Sequence, residues 1–139
     1  MLFLLDKSAH ELARRDVGAR RTFETMAVTG VLATCAIVEL EILYSARNPV
    51  DHRRLKTYLR EQCVWLETSD DTLSEVVDLQ EAMLAAGMHR KPIPDLIIAS
   101  VAQAYDAVLV HHDRDFDDIA SVATGLRARW IVPPQTGGR

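Results

Sequence analysis

Residues 108–116, VLVHHDRDF, form an apolar run that ends in two histidines and two aspartates, Asp113 and Asp115, with Asp117 and Asp118 just beyond. A buried strand running straight into carboxylates suits a ligand site, because α/β folds bind ligands at the carboxyl ends of parallel strands. Capping of the next helix is another physical use for Asp113 or Asp115. A second short apolar run, LFLL at 2–5, also ends in an aspartate, Asp6; a turn or N-cap role is open to it, and equally to Ser8. In the segment 34–46, Ile37, Leu40, Glu41 and Tyr44 share one face at helical periodicity. That turns Glu41 inward, where a carboxylate is costly unless paired, and puts Glu39, roughly 200° round the helix, in solvent. In PIPDLIIAS, Asp95 shares an apolar face with Ile98, Ala99 and Ala102, and an N-cap role competes there too.

Four or five carboxylates gathered without a basic partner in the pattern cannot all stay ionised. Divalent cations relieve that conflict. Mg²⁺ and Mn²⁺ take oxygen ligands and keep several waters, which leaves room for a substrate phosphate. Two such ions, about 3.5–4 Å apart in two-metal sites, activate water and stabilise the leaving oxygen of a phosphodiester. His111 and His112 adjoin the cluster, but on a strand one of them points away from it, so they propose no better site.

The positioning elements follow from hydrophobic pattern and punctuation. A charged helical stretch covers 10–27, interrupted at Gly18; Arg14, Arg15, Arg20 and Arg21 suit a solvated face, with RNA contact as the alternative. A second strand is expected at 28–32, then Thr34 as N-cap of a helix reaching about residue 46. Asn48 and Pro49 end it, a helix covers 50–62, and a strand covers 63–66. Asp70 and Asp71 read as capping residues for the amphipathic helix opened by Thr72, and Gly87 closes it. Pro92 and Pro94 suit a helix start, and a last strand covers 129–132. Strands alternating with helices imply an α/β fold with a parallel sheet covered on both faces. No repeat or linker divides the chain, so residues 1–133 read as one domain and 134–139 as a loose tail.

Composition sets the class. A chain of 139 residues with 48% hydrophobic and 26% charged residues can bury a substantial core. No run approaches the ~18 apolar residues of a membrane span, and Asp6 interrupts the apolar start too soon for a signal peptide. The net charge of −4 argues against broad electrostatic binding of nucleic acid, although a local basic patch can coexist with an acidic site. Cys35 and Cys63 lack metal-type spacing and suit reduced thiols, hence a cytoplasmic location.

LLDKS near the start, AIVELEILYSA, PIPDLIIAS and HHDRDF occur in order over nearly the whole chain. Together they resemble the PIN-domain ribonucleases, in particular the VapC toxins of bacterial type II toxin–antitoxin pairs. The resemblance implies a three-layer α/β/α sandwich with a central, mostly parallel sheet and a metal-dependent endoribonuclease using one or two Mg²⁺ or Mn²⁺ ions. It implies Asp6, Glu41, Asp95 and Asp113 as the catalytic and metal-binding carboxylates, with Asp115 as an added ligand. Ser8 matches the family's small hydroxyl residue that orients a water or phosphate. YSA stands where many members have Tyr-Gly-Ala. The implied partners are an RNA substrate, a VapB-type antitoxin and a second copy of the chain, with no membrane. The apolar faces around Ile42, Leu43, Leu55 and Leu59 offer surface for those protein partners. A catalytically silent PIN-like binding module is the alternative, but no acidic position is lost. Phosphoaspartate chemistry fits less well: position 8 is serine where a haloacid-dehalogenase-type phosphatase has a second aspartate, and no lysine ends the 108–112 run as in a receiver.

Overall fold

Short runs that are apolar at consecutive positions, rather than at alternate ones, belong in a sheet covered on both sides. The computed structural model describes residues 1–135; residues 136–139, most of the expected tail, lie outside the described residues. The strands are β1 (Leu2–Leu5), β2 (Val31–Cys35), β3 (Val64–Leu66), β4 (Val108–His111) and β5 (Arg127–Trp130). All neighbours pair in parallel, in the order β3-β2-β1-β4-β5. The helices α1 (Lys7–Arg15) and α2 (Val17–Thr29) connect β1 to β2, while α3 (Ala36–Leu43) and α4 (Pro49–Gln62) connect β2 to β3. Between β3 and β4 come α5 (Asp70–Ala85) and α6 (Ile93–Ala104), and α7 (Asp115–Val122) leads to β5.

Alternate strand residues feed two cores, giving the three-layer α/β/α sandwich. Leu4, Ala33 and Leu109 face a cluster built with Val38, Val76, Ile98, Val101, Phe116 and Ile119. Phe3, Leu5, Leu32, Val108 and Val110 face the other, with Ala9, Ala13, Ala19 and Met26 of α1 and α2. The chain leaves β1 toward β2 on one side and reaches β4 on the other. The carboxyl ends of β1 and β4 therefore flank the switch point where α/β folds open a crevice. Leu5 pairs with Val110, and the Asp6 backbone N–H donates to Val110 O at 3.1 Å.

Several local expectations are corrected. The first helical stretch breaks at Asp16, not Gly18: the Asp16 N–H closes α1 on Leu12 O, and its carboxylate accepts from Ala19 N at 2.8 Å to open α2. One aspartate thus ends one helix and caps the next. The second strand lies at 31–35, because α2 continues through Thr29. Thr34 is consequently a fully buried strand residue paired with Trp65, not an N-cap. α3 ends at Leu43, where the Ser45 hydroxyl and N–H both donate to Ile42 O.

The face of α3 is also reversed. Val38, Glu39 and Ile42 are buried, whereas Leu40 and Tyr44 are exposed. Ile37, Val38, Leu40, Ile42 and Leu43 are apolar nearly all round the helix, so periodicity cannot choose a side. Glu39 is not solvated. Arg60 holds it bidentately, Nε to Oε2 at 2.8 Å and Nη2 to Oε1 at 2.9 Å, with the guanidinium 4.5 Å over the Trp65 ring. Ile42 and Leu59 are committed to the core and offer no surface. Exposed apolar side chains instead include Leu40, Tyr44, Val77 and Leu84, and elsewhere Val28 and Tyr58.

Phe116 is fully buried, with its ring 5.1 Å from that of His111 beneath the end of β4. Phe116→Ala should cost about 3–5 kcal/mol of unfolding free energy, through lost burial and the cavity left behind. Urea denaturation followed by circular dichroism measures it; a loss under about 1 kcal/mol would mean that this end of the core is not packed as described.

Candidate active site

Each carboxylate of interest starts at an element boundary. Asp6 follows β1 and caps α1: its Oδ1 accepts from Ala9 N at 3.0 Å and from the Ser8 hydroxyl at 2.7 Å. The capping reading of Asp6 therefore holds, and it does not compete with a site role, because both of these bonds fall on one oxygen and leave the second for a ligand. Ser8 Oγ in turn accepts from His112 N at 2.9 Å. Ser8 thus ties the carboxyl ends of β1 and β4 together.

Asp95 lies in the first turn of α6, after an N-cap position filled by Pro92, and its side chain is buried. Pro94 fits the first turn because its missing N–H would be unbonded there anyway. Asp113 follows β4; its Oδ1 accepts from Asp115 N at 2.9 Å and its N–H donates to His111 Nδ1 at 3.2 Å. Asp115, Asp117 and Asp118 fill the first turn of α7, where the helix dipole favours negative charge. Asp95, Asp113 and Asp115 each place one carboxylate oxygen within 4.8 Å of the others. Asp6 and Glu41 lie outside that tight group but close enough to act on it electrostatically.

The electrostatics report crowding. Burial pushes the Asp95 carboxyl up to about 7, with the charges of Asp113, Asp6, Glu41 and Asp115 adding to the rise. Burial raises Asp6 to about 6, against the hydrogen bonds from Ser8 and Ala9, and Asp113 adds a little. Half-buried Glu41 is also raised by burial, with Lys7 opposing and Glu11 reinforcing. Burial lowers His111, so the ring is neutral, packed between Phe116 and Trp130.

One partner was not legible in the sequence pattern. Lys91 Nζ sits 3.1 Å from Asp115 Oδ1 and 2.6 Å from Asp118 Oδ2, with only 19% of its side chain exposed. The cluster is therefore not devoid of basic side chains. The residues before Pro92 carried the only available signal, a lysine one position from a proline-led helix start. Among the described residues, the ion pairs include none to Asp6, Glu41, Asp95 or Asp113.

An all-oxygen donor set carrying excess negative charge fits a hard divalent cation such as Mg²⁺ or Mn²⁺. Asp95, Asp113 and Asp115 have the spacing to hold one, with Asp6 beside them. The histidines do not compete: His111 is buried against two aromatic rings, and the His112 ring packs edge-on to Trp130.

The PIN domain family profile matches residues 3–122. Ribonuclease VapC21 of Mycobacterium tuberculosis is 40% identical over 135 residues, covering 96% of each chain. Ribonuclease VapC51 of the same species is 35% identical over 134 residues, again covering 96% of each. Among solved structures, VapBC2 from Rickettsia felis, bound to a promoter DNA fragment, superimposes with a TM-score of 0.78 at 19% identity, over 94% of this chain and 98% of that one.

The raised carboxyls have a measurable consequence. Folded Asp95 titrates near 7 against an ordinary 3.8, so between those values the unfolded chain is the more ionised. The stability carried by its protonated form is complete below 3.8 and lost as pH rises to about 7. Buried His10, lowered to about 4 by burial and Arg14, acts in the opposite sense below 6.5, so a variant must isolate the effect. In EDTA, Asp95→Asn should match the wild-type melting temperature near pH 4 and exceed it progressively up to pH 7.5. An offset between the two melting curves that does not change with pH would refute the crowding.

Proposed function

Because the chain belongs to the PIN-domain family, among the VapC ribonucleases, we propose that it is the toxin of a type II toxin–antitoxin pair. Residues 1–133 form one PIN-like domain, acting in the cytoplasm as a Mg²⁺- or Mn²⁺-dependent endoribonuclease. The observation that carries the metal reading is the tight group of Asp95, Asp113 and Asp115, with no cation paired to Asp95 or Asp113 among the described residues. No helix among the described residues is long and apolar enough to cross a membrane.

When bound, a divalent cation would supply an activated water and charge stabilisation for the leaving oxygen. The protein's part is placement. Asp95, Asp113 and Asp115 would hold the cation, with buried Asp6, fixed by Ser8 and Ala9, beside them. Glu41, half-exposed on α3, stands at the rim. Lys91 holds one oxygen of Asp115 at the outer edge of the cluster. Water attacks phosphorus in line, the bond to the 3′ oxygen breaks, and the products carry 5′-phosphate and 3′-hydroxyl ends. The carboxylates form no covalent intermediate.

The antitoxin reading rests on the same charge. Asp6, Glu41, Asp95 and Asp113 have no ion pair among the described residues, and an antitoxin guanidinium at or beside them, whose planar fork matches a carboxylate, would compete with the metal. A VapB-type partner and a homodimer would cover the exposed apolar side chains of the helices.

Cleavage of total RNA should require Mg²⁺ or Mn²⁺, stop in EDTA, and map to 5′-phosphate ends. Asp6→Ala, Glu41→Ala, Asp95→Ala and Asp113→Ala should each abolish it, while Glu39→Ala, remote from the cluster and paired with Arg60, should lower stability but keep cleavage. Saturating Mn²⁺ should raise the melting temperature by about 5 °C by mass action. Products with 2′,3′-cyclic phosphate, or full activity in EDTA, would overturn the mechanism. Co-expression with the neighbouring gene's product should yield a complex without nuclease activity; failure to capture one would remove the toxin–antitoxin assignment alone.

A further inference from the structure

The carboxylates account for a phosphate but not for what holds the base beside it. Next to the acidic group lies an open cleft of about 520 Å³ lined by His112, Asp113, Arg114, Trp130, Pro134 and Gln135. It shares Asp113 with the site. Trp130 ends β5 in register with His111, so the indole stands beside the carboxyl end of β4. The ring is held on several sides. Its Nε1–H donates to Asp117 Oδ1 at 3.0 Å, and His111 and His112 pack at 5.0 and 5.2 Å between centroids. Arg114 is exposed, and its guanidinium lies 5.8 Å from the indole centroid. That is at the outer edge of cation–π range, and no acidic partner engages Arg114 among the described residues.

We infer that this cleft is a base-binding subsite for a nucleotide flanking the scissile phosphate, with the Trp130 indole as its stacking platform and Arg114 closing over the base. The inference rests on the nuclease reading above. An indole that only plugged the sheet end would need no cleft beside it. A half-buried ring, hydrogen-bonded to Asp117 and bordered by a guanidinium with no acidic partner among the described residues, has the composition by which single-stranded nucleic acid is held: an aromatic face for the base and a cation for the backbone. Because the indole N–H is already engaged, stacking itself is tolerant of base identity.

The chain has two tryptophans, so Trp65→Phe leaves Trp130 as the sole indole fluorophore. In a Trp65→Phe, Asp95→Asn double variant with Mg²⁺, a short single-stranded RNA of mixed sequence should quench the emission. In the otherwise wild-type enzyme, Trp130→Leu should raise KM about tenfold, the size expected for one lost base stack, with a smaller change in kcat. Trp130→Phe, which keeps an aromatic face, should restore most of both. The melting-temperature rise with Mn²⁺ should be the same in the wild type, Trp130→Leu and Trp130→Phe, which a purely structural role at the sheet end would not predict. RNA that binds without quenching, or a Trp130→Leu enzyme with unchanged KM, overturns the subsite. Should Trp130→Leu fail to fold, Trp130→Phe and the quenching experiment still decide. If the wild-type protein cleaves no RNA, the nuclease reading fails, and the quenching alone then supports or overturns base binding.

Discussion

Carboxyl groups driven together at the end of a buried sheet oppose folding, and the rest of the molecule is arranged around that opposition. Asp95, Asp113 and Asp115 approach within 4.8 Å, and burial together with mutual repulsion pushes Asp95 to about 7. The cost is borne by the rigid parts of the fold. β1 and β4 lie at the centre of a parallel sheet with both faces covered, and their register fixes the separation of Asp6 and Asp113. Ser8 links the two strand ends through Asp6 and His112 N. A site that stores repulsion when metal-free is preorganised for a cation, because the ligands need not be gathered at the moment of binding. Metal binding there would thereby be coupled to stability.

Lys91 changes how that cluster is to be viewed. It pairs with Asp115 and Asp118 but with neither Asp95 nor Asp113, so neutralisation stops at the outer edge of the group. Asp115 would consequently be shared between Lys91 and a bound cation. That arrangement gives Asp115 a different duty from Asp113, which uses one oxygen to hold the first turn of α7. The two aspartates, two residues apart, divide the work by their neighbours rather than by their type.

Much of this was legible in the sequence, and the reasons are local. Apolar strands closed by aspartates, a proline-led helix carrying Asp95, and regular alternation of strands and helices suffice for the sheet and for the chain positions of the acids. The failures share a cause as well. α3 is apolar nearly all round, so its buried side depends on what it packs against, and Glu39 found Arg60, 21 residues away. Asp16 can cap either of two helices, and no pattern within one helix reveals that it serves both. Lys91 meets Asp115 and Asp118 across more than twenty residues of chain. Pairings between distant segments are set by tertiary geometry, which hydrophobic period does not encode.

The central claim is that these carboxylates form one divalent-metal site at the switch point of the sheet. It is tested most directly by crystals soaked in Mn²⁺ and measured at the manganese absorption edge. The account predicts anomalous density bounded by Asp95, Asp113 and Asp115, on the side facing Asp6, and its loss in crystals of Asp95→Asn. Anomalous density confined to other surfaces, or none at saturating Mn²⁺, would contradict it.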